Sequence, residues 1–229
     1  MNIDRALEAL RGGSFLLVHD AASRENETDL VILAEAVEPR HVATLRGDAG
    51  GLICVALHPR IADNLGLPFL TDVYEAASGR YGVLAAAKPN DLPYDEKSAF
   101  SIAVNHRKTY TGITDVDRAL TIRELGRLGA KAISKRADGE FGKSFRSPGH
   151  VPILRAADKL VLERQGHTEL VVALAEMAGV TPVVAICEML DARTGRALGQ
   201  KAAAEYAKAR GLESLSGVDI VRAYEKRGA

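Results

Sequence analysis

Two short segments of the sequence carry residues that could bind a metal ion and an anion. The segment DAASRENETD, residues 20–29, concentrates four carboxylates around Arg24 between two apolar runs. Mg²⁺ usually takes one or two carboxylates together with water and phosphorylated substrate, and an adjacent arginine can hold an oxyanion. A solvated loop at the rim of a sheet has the same composition. This segment alone therefore leaves both a cation site and a plain charged loop open.

The segment RQGHTE, residues 164–169, is typical of the start of a helix. Gly166 permits a turn and Thr168 is a candidate N-cap, while the free backbone N–H groups and Arg164 suit a phosphate. His167 could add a metal ligand or a base. Ordinary N-capping beside a surface histidine is an equal alternative.

Two further segments offer groups for proton transfer and for hydroxyl contacts. Glu188 ends the apolar run VVAICE, and His150 ends the segment SPGH. A carboxylate or an imidazole can act as a general acid or base. In NHRKTYTGITDVDRALTI, hydroxyls such as that of Thr111 stand around Gly112 before a helix, where they could bind phosphate or sugar hydroxyls. A strand-end glutamate, a turn histidine and a capped helix start are the commoner interpretations of these segments taken singly.

The elements that must position these segments alternate between strands and helices. Apolar runs predict strands at SFLLVHD, LVILAEAV, GLICVALHP, AFSIAVNH, VPILRA and TPVVAICEML. Helical spacing and boundary residues predict helices over 3–10, from Pro39, and over 60–66, 114–129, 167–179, 200–211 and 218–227. Residues 71–98 and 133–149 show little periodicity and are expected to be loops. Adjacent strands mixed with strand–helix–strand units predict an α+β domain with a mixed sheet.

Composition and charge exclude several classes of protein. The 229 residues are 47% hydrophobic and 26% charged, which is typical of a globular chain. Thirty Lys and Arg balance 30 Asp and Glu, so we expect no nucleic-acid partner. No apolar run reaches the ~20 residues that span a bilayer, and the first residues do not resemble a signal peptide, so we expect a cytoplasmic protein with no membrane partner. The usual nucleotide-binding, serine-hydrolase and zinc motifs do not occur in the sequence.

Taken together and in order, the segments resemble one known family. RENETD at 24–29, GLICVAL at 51–57, NHRKTYTGITDVDRALTI at 105–122, FRSPGH at 145–150, RQGHTE at 164–169 and ICEM at 186–189 are similar to motifs of the 3,4-dihydroxy-2-butanone 4-phosphate synthases in their short archaeal-type form. Six matches in a consistent order are far more specific than any single one. They favour the functional interpretation of each segment.

The resemblance implies a lyase of riboflavin biosynthesis, which converts D-ribulose 5-phosphate to 3,4-dihydroxy-2-butanone 4-phosphate and formate. It implies Mg²⁺ or Mn²⁺ as the cofactor, with two ions per active site, and a homodimer whose active sites lie near the subunit interface. It further implies a single three-layer α/β/α domain over residues 1–229. We expect a monofunctional enzyme, because the chain ends soon after its last helices, without room for the GTP cyclohydrolase II domain that is fused in some bacterial members.

The resemblance also assigns roles to individual residues. The metal ligands are expected to be Glu25 and His167. The residues of proton transfer are expected to be His150 and Glu188, with Glu27 and Cys54 as further catalytic candidates. Substrate contacts are expected from Arg24, Glu25, Asp29, Thr111, Arg164, Gly166, His167, Thr168 and Glu188.

Two positions depart from the family pattern, and one alternative function remains. Thr28 and Tyr110 stand where many bacterial members have glycine and threonine, respectively. The alternative is a non-catalytic sugar-phosphate-binding regulator on the same fold. The presence of Glu25, His167 and Glu188 together speaks against that alternative.

Overall fold

The computed structural model describes residues 3–89, 91, 95 and 98–228. Its helices are α1 (Ile3–Arg11), α2 (Pro39–Thr44), α3 (Pro59–Leu65), α4 (Leu70–Ser78), α5 (Gly82–Ala86), α6 (Asp115–Ala132), α7 (Asp138–Ser144), α8 (His167–Met177), α9 (Gln200–Arg210) and α10 (Gly217–Gly228). Its strands are β1 (Leu16–His19), β2 (Thr28–Leu33), β3 (Cys54–Leu57), β4 (Phe100–His106), β5 (Phe145–Arg155), β6 (Val183–Glu188), β7 (Leu190–Asp191), β8 (Arg196–Ala197) and β9 (Glu213–Ser216).

Seven of the strands form one mixed sheet in the order β4-β5-β3-β6-β2-β1-β9. β1 runs parallel to β9 and β3 runs parallel to β5, whereas the pairs β4–β5, β3–β6, β2–β6 and β1–β2 are antiparallel. In the centre of the sheet, Asp29 lies directly opposite Glu188, and Cys54 lies opposite Ile186. The register thus brings the first residues of β2 next to the last residues of β6.

Helices cover both faces of the sheet. Ile122 and Leu125 of α6 belong to a buried cluster that also includes residues of α2, α3 and α9. Leu7 of α1 and Val172 of α8 belong to a second cluster, which includes residues of α10. Alternate residues of β6 point into the two clusters, as a strand buried on both faces requires. The predicted α+β fold, with a mixed sheet in a three-layer α/β/α arrangement, is confirmed.

Most predicted elements are present with shifted ends. The predicted strand LVILAEAV begins earlier, at Thr28, and ends at Leu33, where a 3₁₀ turn, Ala34–Ala36, follows. Thr114 caps α6 as predicted, because its side chain accepts a hydrogen bond of 3.2 Å from the backbone of Asp117.

The prediction of loops over 71–98 and 133–149 is wrong. The first range contains most of α4 and all of α5, and the second contains α7 and the first residues of β5. No side chain of α4 or α5, both described throughout, is buried. α4 does have apolar residues at helical spacing, Leu70, Val73, Tyr74 and Ala77, which the sequence analysis overlooked in a segment rich in Gly, Pro and Asp. α5 has only five residues, too few for a periodic pattern. The edge strand β9 was also missed, because its four residues, ESLS, include one apolar residue, Leu215, and so form no apolar run. Residues 90, 92–94, 96 and 97 of the predicted loop, and residues 1, 2 and 229 of the predicted domain, lie outside the described residues.

Within the described ranges, no helix is both long enough and apolar enough to cross a bilayer.

We predict opposite effects of alanine at two helical glycines. A Cβ at Gly126 in α6 would meet the backbone N of Glu35 at 2.9 Å, whereas a Cβ at Gly142 in α7 would meet nothing within 4 Å. Gly126→Ala should therefore lower the free energy of unfolding by about 1–3 kcal/mol, through crowding. Gly142→Ala should raise it by up to about 1 kcal/mol, through helix propensity. Urea denaturation of both variants checks this, and equal stabilisation by both would contradict the close packing of α6 against the 3₁₀ turn that follows β2.

Candidate active site

Two strand ends and one helix start meet on the face of the sheet that α8 covers. Asp29 is the second residue of β2 and lies opposite Glu188, the last residue of β6. His167 is the first residue of α8, and Gly166 before it has the extended backbone of an N-cap. The prediction that Thr168 caps this helix is wrong, because Thr168 already lies within the helix and Gly166 occupies the N-cap position.

The imidazole of His167 is the centre of the candidate site. It is only 6% exposed. Its Nδ1 lies 3.1 Å from Oε2 of Glu25, and its Nε2 lies 3.3 Å from the backbone O of Glu27 and 3.7 Å from Oδ1 of Asp29. The two predicted metal ligands, Glu25 and His167, are therefore in contact although 142 positions separate them in the sequence.

Asp20 holds the acidic loop against this histidine. Its carboxylate accepts hydrogen bonds of 3.0 Å from the backbone N–H groups of both Glu25 and Glu27. One possible ligand atom from each of Asp20, Glu25 and His167 lies within 4.8 Å of the others. Sequence analysis did not select Asp20 as a ligand, although it belongs to the same acidic segment.

The donor set fits a hard divalent cation. Carboxylate oxygens and a single imidazole nitrogen converge, and Mg²⁺ accepts oxygen ligands of this kind. Asp29 supplies the strongest further indication, because its Oδ1 is buried and has no hydrogen-bond partner among the described residues. A buried polar atom without a partner is unfavourable, and a cation would satisfy it. Glu25, His167, Asp20 and Asp29 are thus the residues that could hold a metal ion.

Burial and crowding of charge shift the pKa values of these groups. Burial raises the pKa of Asp29 to about 7. Burial opposes the charged form of His167, but the carboxylates of Asp29 and Glu25 outweigh it and raise the pKa of the imidazole to about 9. The pKa of Glu27 is raised by burial and by the neighbouring carboxylates of Glu25 and Glu188. The hydrogen bond from His167 lowers the pKa of Glu25. Near neutral pH the imidazole of His167 is therefore protonated, and about half of the Asp29 carboxyl groups are ionised.

Two arginines converge on a single carboxylate beside this cluster. Arg24 NH2 lies 3.1 Å from Oδ2 of Asp95, and Arg164 Nε lies 2.5 Å from the same oxygen. Arg164 also pairs through NH1 with the fully buried carboxylate of Glu169, which accepts the backbone N–H of Ala157 as well. The arrangement can bind an anionic oxygen between two guanidinium groups.

Glycines permit two of these close approaches. A Cβ at Gly166 would collide with the guanidinium of Arg164, and a Cβ at Gly51 would collide with Glu188. The Glu188 carboxylate accepts a hydrogen bond of 2.8 Å from the backbone N of Leu52. The turn before β3 therefore holds Glu188 in place.

A cavity of about 290 Å³ joins most of the predicted site residues. Cys54 contributes a buried thiol whose pKa is raised by burial, so the sulfur is protonated at neutral pH. The predicted residues that line the cavity are Glu25, Asp29, Cys54, Arg164, His167, Thr168 and Glu188.

Five predicted site residues, all within the described residues, do not line this cavity. Arg24, Glu27 and Gly166 contact residues of its lining, namely Asp95, His167 and Arg164. His150 and Thr111 lie further away. His150 lies on β5, which β3 separates from the strand of Glu188, a distance of about 10 Å between strands. Thr111 lies between β4 and α6, and its hydroxyl donates a weak hydrogen bond of 3.4 Å to Asp117. Within one chain, His150 and Thr111 lie close to each other, on either side of Asn105, and apart from the cavity.

The two departures from the family pattern have different surroundings. Thr28 is buried, and its hydroxyl lies 3.0 Å from Nδ1 of His19 on the neighbouring strand. The side chain of Tyr110 is on the surface, 94% exposed. Neither position belongs to the lining of the cavity.

Comparison with known proteins relates this chain to one family. The family model described as 3,4-dihydroxy-2-butanone 4-phosphate synthase matches residues 4–223. The proteins of that name from Methanothermobacter thermautotrophicus and Archaeoglobus fulgidus are each 53% identical to the chain. The alignments cover 97% and 99% of this chain, respectively, and 95% of each relative. A Saccharomyces cerevisiae protein of the same name is 36% identical over 82% of this chain and 81% of its own length.

Solved structures agree with the sequence comparison. A 3,4-dihydroxy-2-butanone 4-phosphate synthase in complex with two magnesium ions aligns with a TM-score of 0.78 at 32% identity, covering 99% of this chain and 97% of its own. The Candida albicans enzyme aligns with a TM-score of 0.74 at 30% identity, over 97% and 96% of the two chains. The chain belongs to the 3,4-dihydroxy-2-butanone 4-phosphate synthase family, which confirms the resemblance found in the sequence. The non-catalytic alternative finds no support among these relatives.

We predict that Glu169 stabilises the fold through its buried contacts with Arg164. Glu169→Ala would remove one of the two carboxylates that pair with the largely buried guanidinium of Arg164, so the free energy of unfolding should fall by about 3 kcal/mol. Glu205→Ala, at an exposed glutamate of α9, serves as the control and should change the free energy of unfolding by less than about 0.5 kcal/mol. Chemical denaturation of both variants measures the difference. Equal stability of the two would show that the buried pair does not support the structure.

Proposed function

We propose that this chain converts D-ribulose 5-phosphate to 3,4-dihydroxy-2-butanone 4-phosphate and formate, as a lyase of riboflavin biosynthesis. Family membership supports this activity. The observation that carries the proposal is the meeting, around one cavity, of the Glu25–His167 pair, Arg164 and Glu188, with Arg24 beside the cavity against its lining residue Asp95. This set combines a place for a cation, a place for a phosphate and groups for proton transfer.

Arg24 and Arg164 bind the phosphate of the substrate in this proposal. Their guanidinium groups already share the anionic oxygen of Asp95, so their spacing suits an oxyanion. Thr168 and the backbone N–H groups after Gly166 face the same cavity at the start of α8, where the helix dipole favours a negative charge. The phosphate end of the substrate is thereby fixed relative to Glu188.

Glu25 and His167 hold Mg²⁺ or Mn²⁺, with Asp20 and Asp29 next to them. Two ions per site are proposed, in line with the related structure that contains two magnesium ions. When bound, the metal polarises the carbonyl and hydroxyl groups of the sugar and makes their protons easier to remove. A structural zinc-type site is not supported, because the donors are mainly oxygens.

Carboxylates on the cavity side of the cluster carry the proton transfers. Glu188 is held by the backbone of Leu52 and faces the cavity, so it can take or return a proton at a fixed position. Asp29, with a pKa near 7, and Glu27, whose pKa is raised, are suited to accept and release protons near neutral pH. Cys54 lines the cavity with a protonated thiol and stays a catalytic candidate by resemblance.

A second copy of the chain completes the site. His150 and Thr111 lie outside the cavity of their own chain, so a symmetric dimer is the arrangement that brings them to the cavity of a partner. Large side chains near Thr111 are exposed, namely Tyr110, Ile113 and Val116. Such exposed apolar groups mark a surface for association.

The remaining assignments follow from this activity. The proposed enzyme acts as one domain over residues 1–229, in the cytoplasm, with neither a membrane nor a nucleic acid as a partner. The balanced charge of the chain supports the last point.

Release of formate tests the activity directly. Incubation of the purified protein with D-ribulose 5-phosphate and Mg²⁺ should produce formate and the four-carbon phosphate in equal amounts. A folded protein that releases no formate with either Mg²⁺ or Mn²⁺ would refute the proposal.

We predict that Glu188→Gln removes turnover but keeps substrate binding. The amide retains the volume and the hydrogen bond to Leu52 but cannot exchange a proton, so kcat should fall about 100-fold or more while the affinity for substrate changes little. Glu176→Gln, at an exposed position of α8, serves as the control and should leave kcat unchanged. Formate release within a few-fold of the unsubstituted protein would remove Glu188 from the proton transfers.

We predict that Glu25 and His167 act as one metal-binding unit. Glu25→Gln and His167→Ala should each weaken Mg²⁺ binding by about 10-fold or more, measured by calorimetry without substrate. The double variant should bind little worse than the weaker single variant, because the two residues serve the same ions. Fully additive losses, or unchanged Mg²⁺ affinity in both single variants, would argue against a shared metal site.

We predict a dimer whose contact surface includes Ile113. Light scattering should give the mass of two chains rather than the 24.5 kDa of one. Ile113→Asp should shift the protein towards monomer and reduce turnover. Val218→Asp is the matched control, since Val218 is exposed to the same degree but follows β9 at the opposite edge of the sheet. A fully active monomer would contradict the dimer.

A further inference from the structure

Asn105 makes two contacts with His150. Asn105 lies on β4, and its side chain is buried, with the residue only 4% exposed. Its Oδ1 accepts a hydrogen bond of 2.8 Å from the backbone N of His150, and its Nδ2 lies 3.0 Å from Nδ1 of the imidazole. The mechanism proposed above uses His150 but has no role for Asn105.

Two backbone groups determine which way the amide of Asn105 points. The backbone N–H of His150 can only donate, so it requires the amide oxygen opposite it. The backbone carbonyl of Thr111 can only accept, and it lies 3.4 Å from Nδ2. Both contacts agree on the same orientation, with the NH₂ group towards Thr111 and towards the imidazole.

The orientation of the amide then determines the tautomer of the imidazole. Because the NH₂ group of Asn105 donates, Nδ1 of His150 must accept, and the proton of the neutral ring resides on Nε2. Oδ1 also lies 3.3 Å from Nδ1, but this distance is longer, and the same oxygen already accepts the backbone N–H. The protonated nitrogen is the one directed away from Asn105.

The neighbouring glycines keep Asn105 in this position. Gly112 has a positive φ of 91°, and a Cβ there would collide with the Asn105 amide. A Cβ at Gly149 would collide with the backbone of Val104 and Asn105. The turn that carries Thr111 and the strand that carries His150 therefore both close tightly on Asn105.

We propose that Asn105 is a positioning residue that holds the neutral ring of His150 in the tautomer protonated at Nε2, so that His150 offers the substrate a hydrogen-bond donor rather than a base. The role of His150 as a hydrogen-bond donor rests on the proposed function, in which His150 reaches the substrate in a partner's cavity. An Nε2–H group can stabilise negative charge that develops on a substrate oxygen. The removal of protons is then left to the carboxylates around Glu188.

Nuclear magnetic resonance of the resting protein tests the tautomer without any assay of activity. In protein labelled with ¹⁵N-histidine, long-range ¹H–¹⁵N correlation spectra recorded with a neutral His150 ring should show a protonated Nε2 and an unprotonated Nδ1. His150→Gln assigns the signals.

Asn105→Asp, whose carboxylate can only accept, should move the proton to Nδ1. If that variant does not fold, Asn105→Ala should show a larger fraction of Nδ1-protonated ring than the unsubstituted protein. Asn64→Ala is the control, because Asn64 also bonds a backbone carbonyl but far along the chain from His150.

Steady-state kinetics tests the consequence for turnover. Asn105→Ala should lower kcat by about 10-fold or more with a small change in KM, whereas Asn64→Ala should leave kcat within about two-fold. Adding Asn105→Ala to His150→Gln should cost little further activity, since the first acts through the second. An Nδ1-protonated ring in the unsubstituted protein, an unchanged tautomer in Asn105→Asp, or an unchanged kcat in Asn105→Ala would each overturn the proposal. Failure of the protein to release formate would refute the proposed function, while the spectra would still decide the tautomer.

Discussion

The site depends on the contacts of His167 with the carboxylates around it. A buried cluster of acidic groups is unfavourable unless positive charge compensates it. The imidazole provides that charge in the protein alone, and the raised pKa of His167, about 9, reflects the carboxylates of Asp29 and Glu25. A bound divalent cation would provide the compensating positive charge in the active enzyme. The same contacts tie the acidic loop, the start of β2 and the start of α8 to one another.

The register of the central strands determines which carboxylates take part. β2 and β6 are antiparallel and place Asp29 opposite Glu188, on the face that α8 covers. A slip of β2 by one residue past β6 would turn Asp29 to the other face, away from Glu188, where the other helical layer packs. Close approach at Gly51 and Gly166 then lets Glu188 and Arg164 turn towards the same cavity. The strand pairing therefore selects the carboxylates of the site, and the loops then direct them towards the cavity.

The sequence predicted the fold class and the chemical groups better than their arrangement. Apolar runs identified the buried strands, because both faces of the sheet are covered. α4 was missed although its apolar residues have helical spacing, because it lies in a segment rich in Gly, Pro and Asp, and α5 was missed because it has only five residues. The role of Asp95 between two arginines depends on a contact across 69 positions to Arg164. Resemblance to a family brought Glu25 and His167 together, which no local pattern could do. The position of His150 outside the cavity of its own chain is a property of the folded sheet, so only the structure reveals it.

In the proposed dimer, each active site combines Glu188 of one chain with His150 of the other. Mixing two inactive variants, Glu188→Gln and His150→Gln, under conditions that allow subunits to exchange, tests this claim most directly. The account predicts that the mixture regains about one quarter of the unsubstituted activity, because half of the dimers are mixed and each mixed dimer has one intact site. A mixture that exchanges subunits, as native mass spectrometry can verify, and yet stays inactive would contradict it, since both residues would then have to act within one chain.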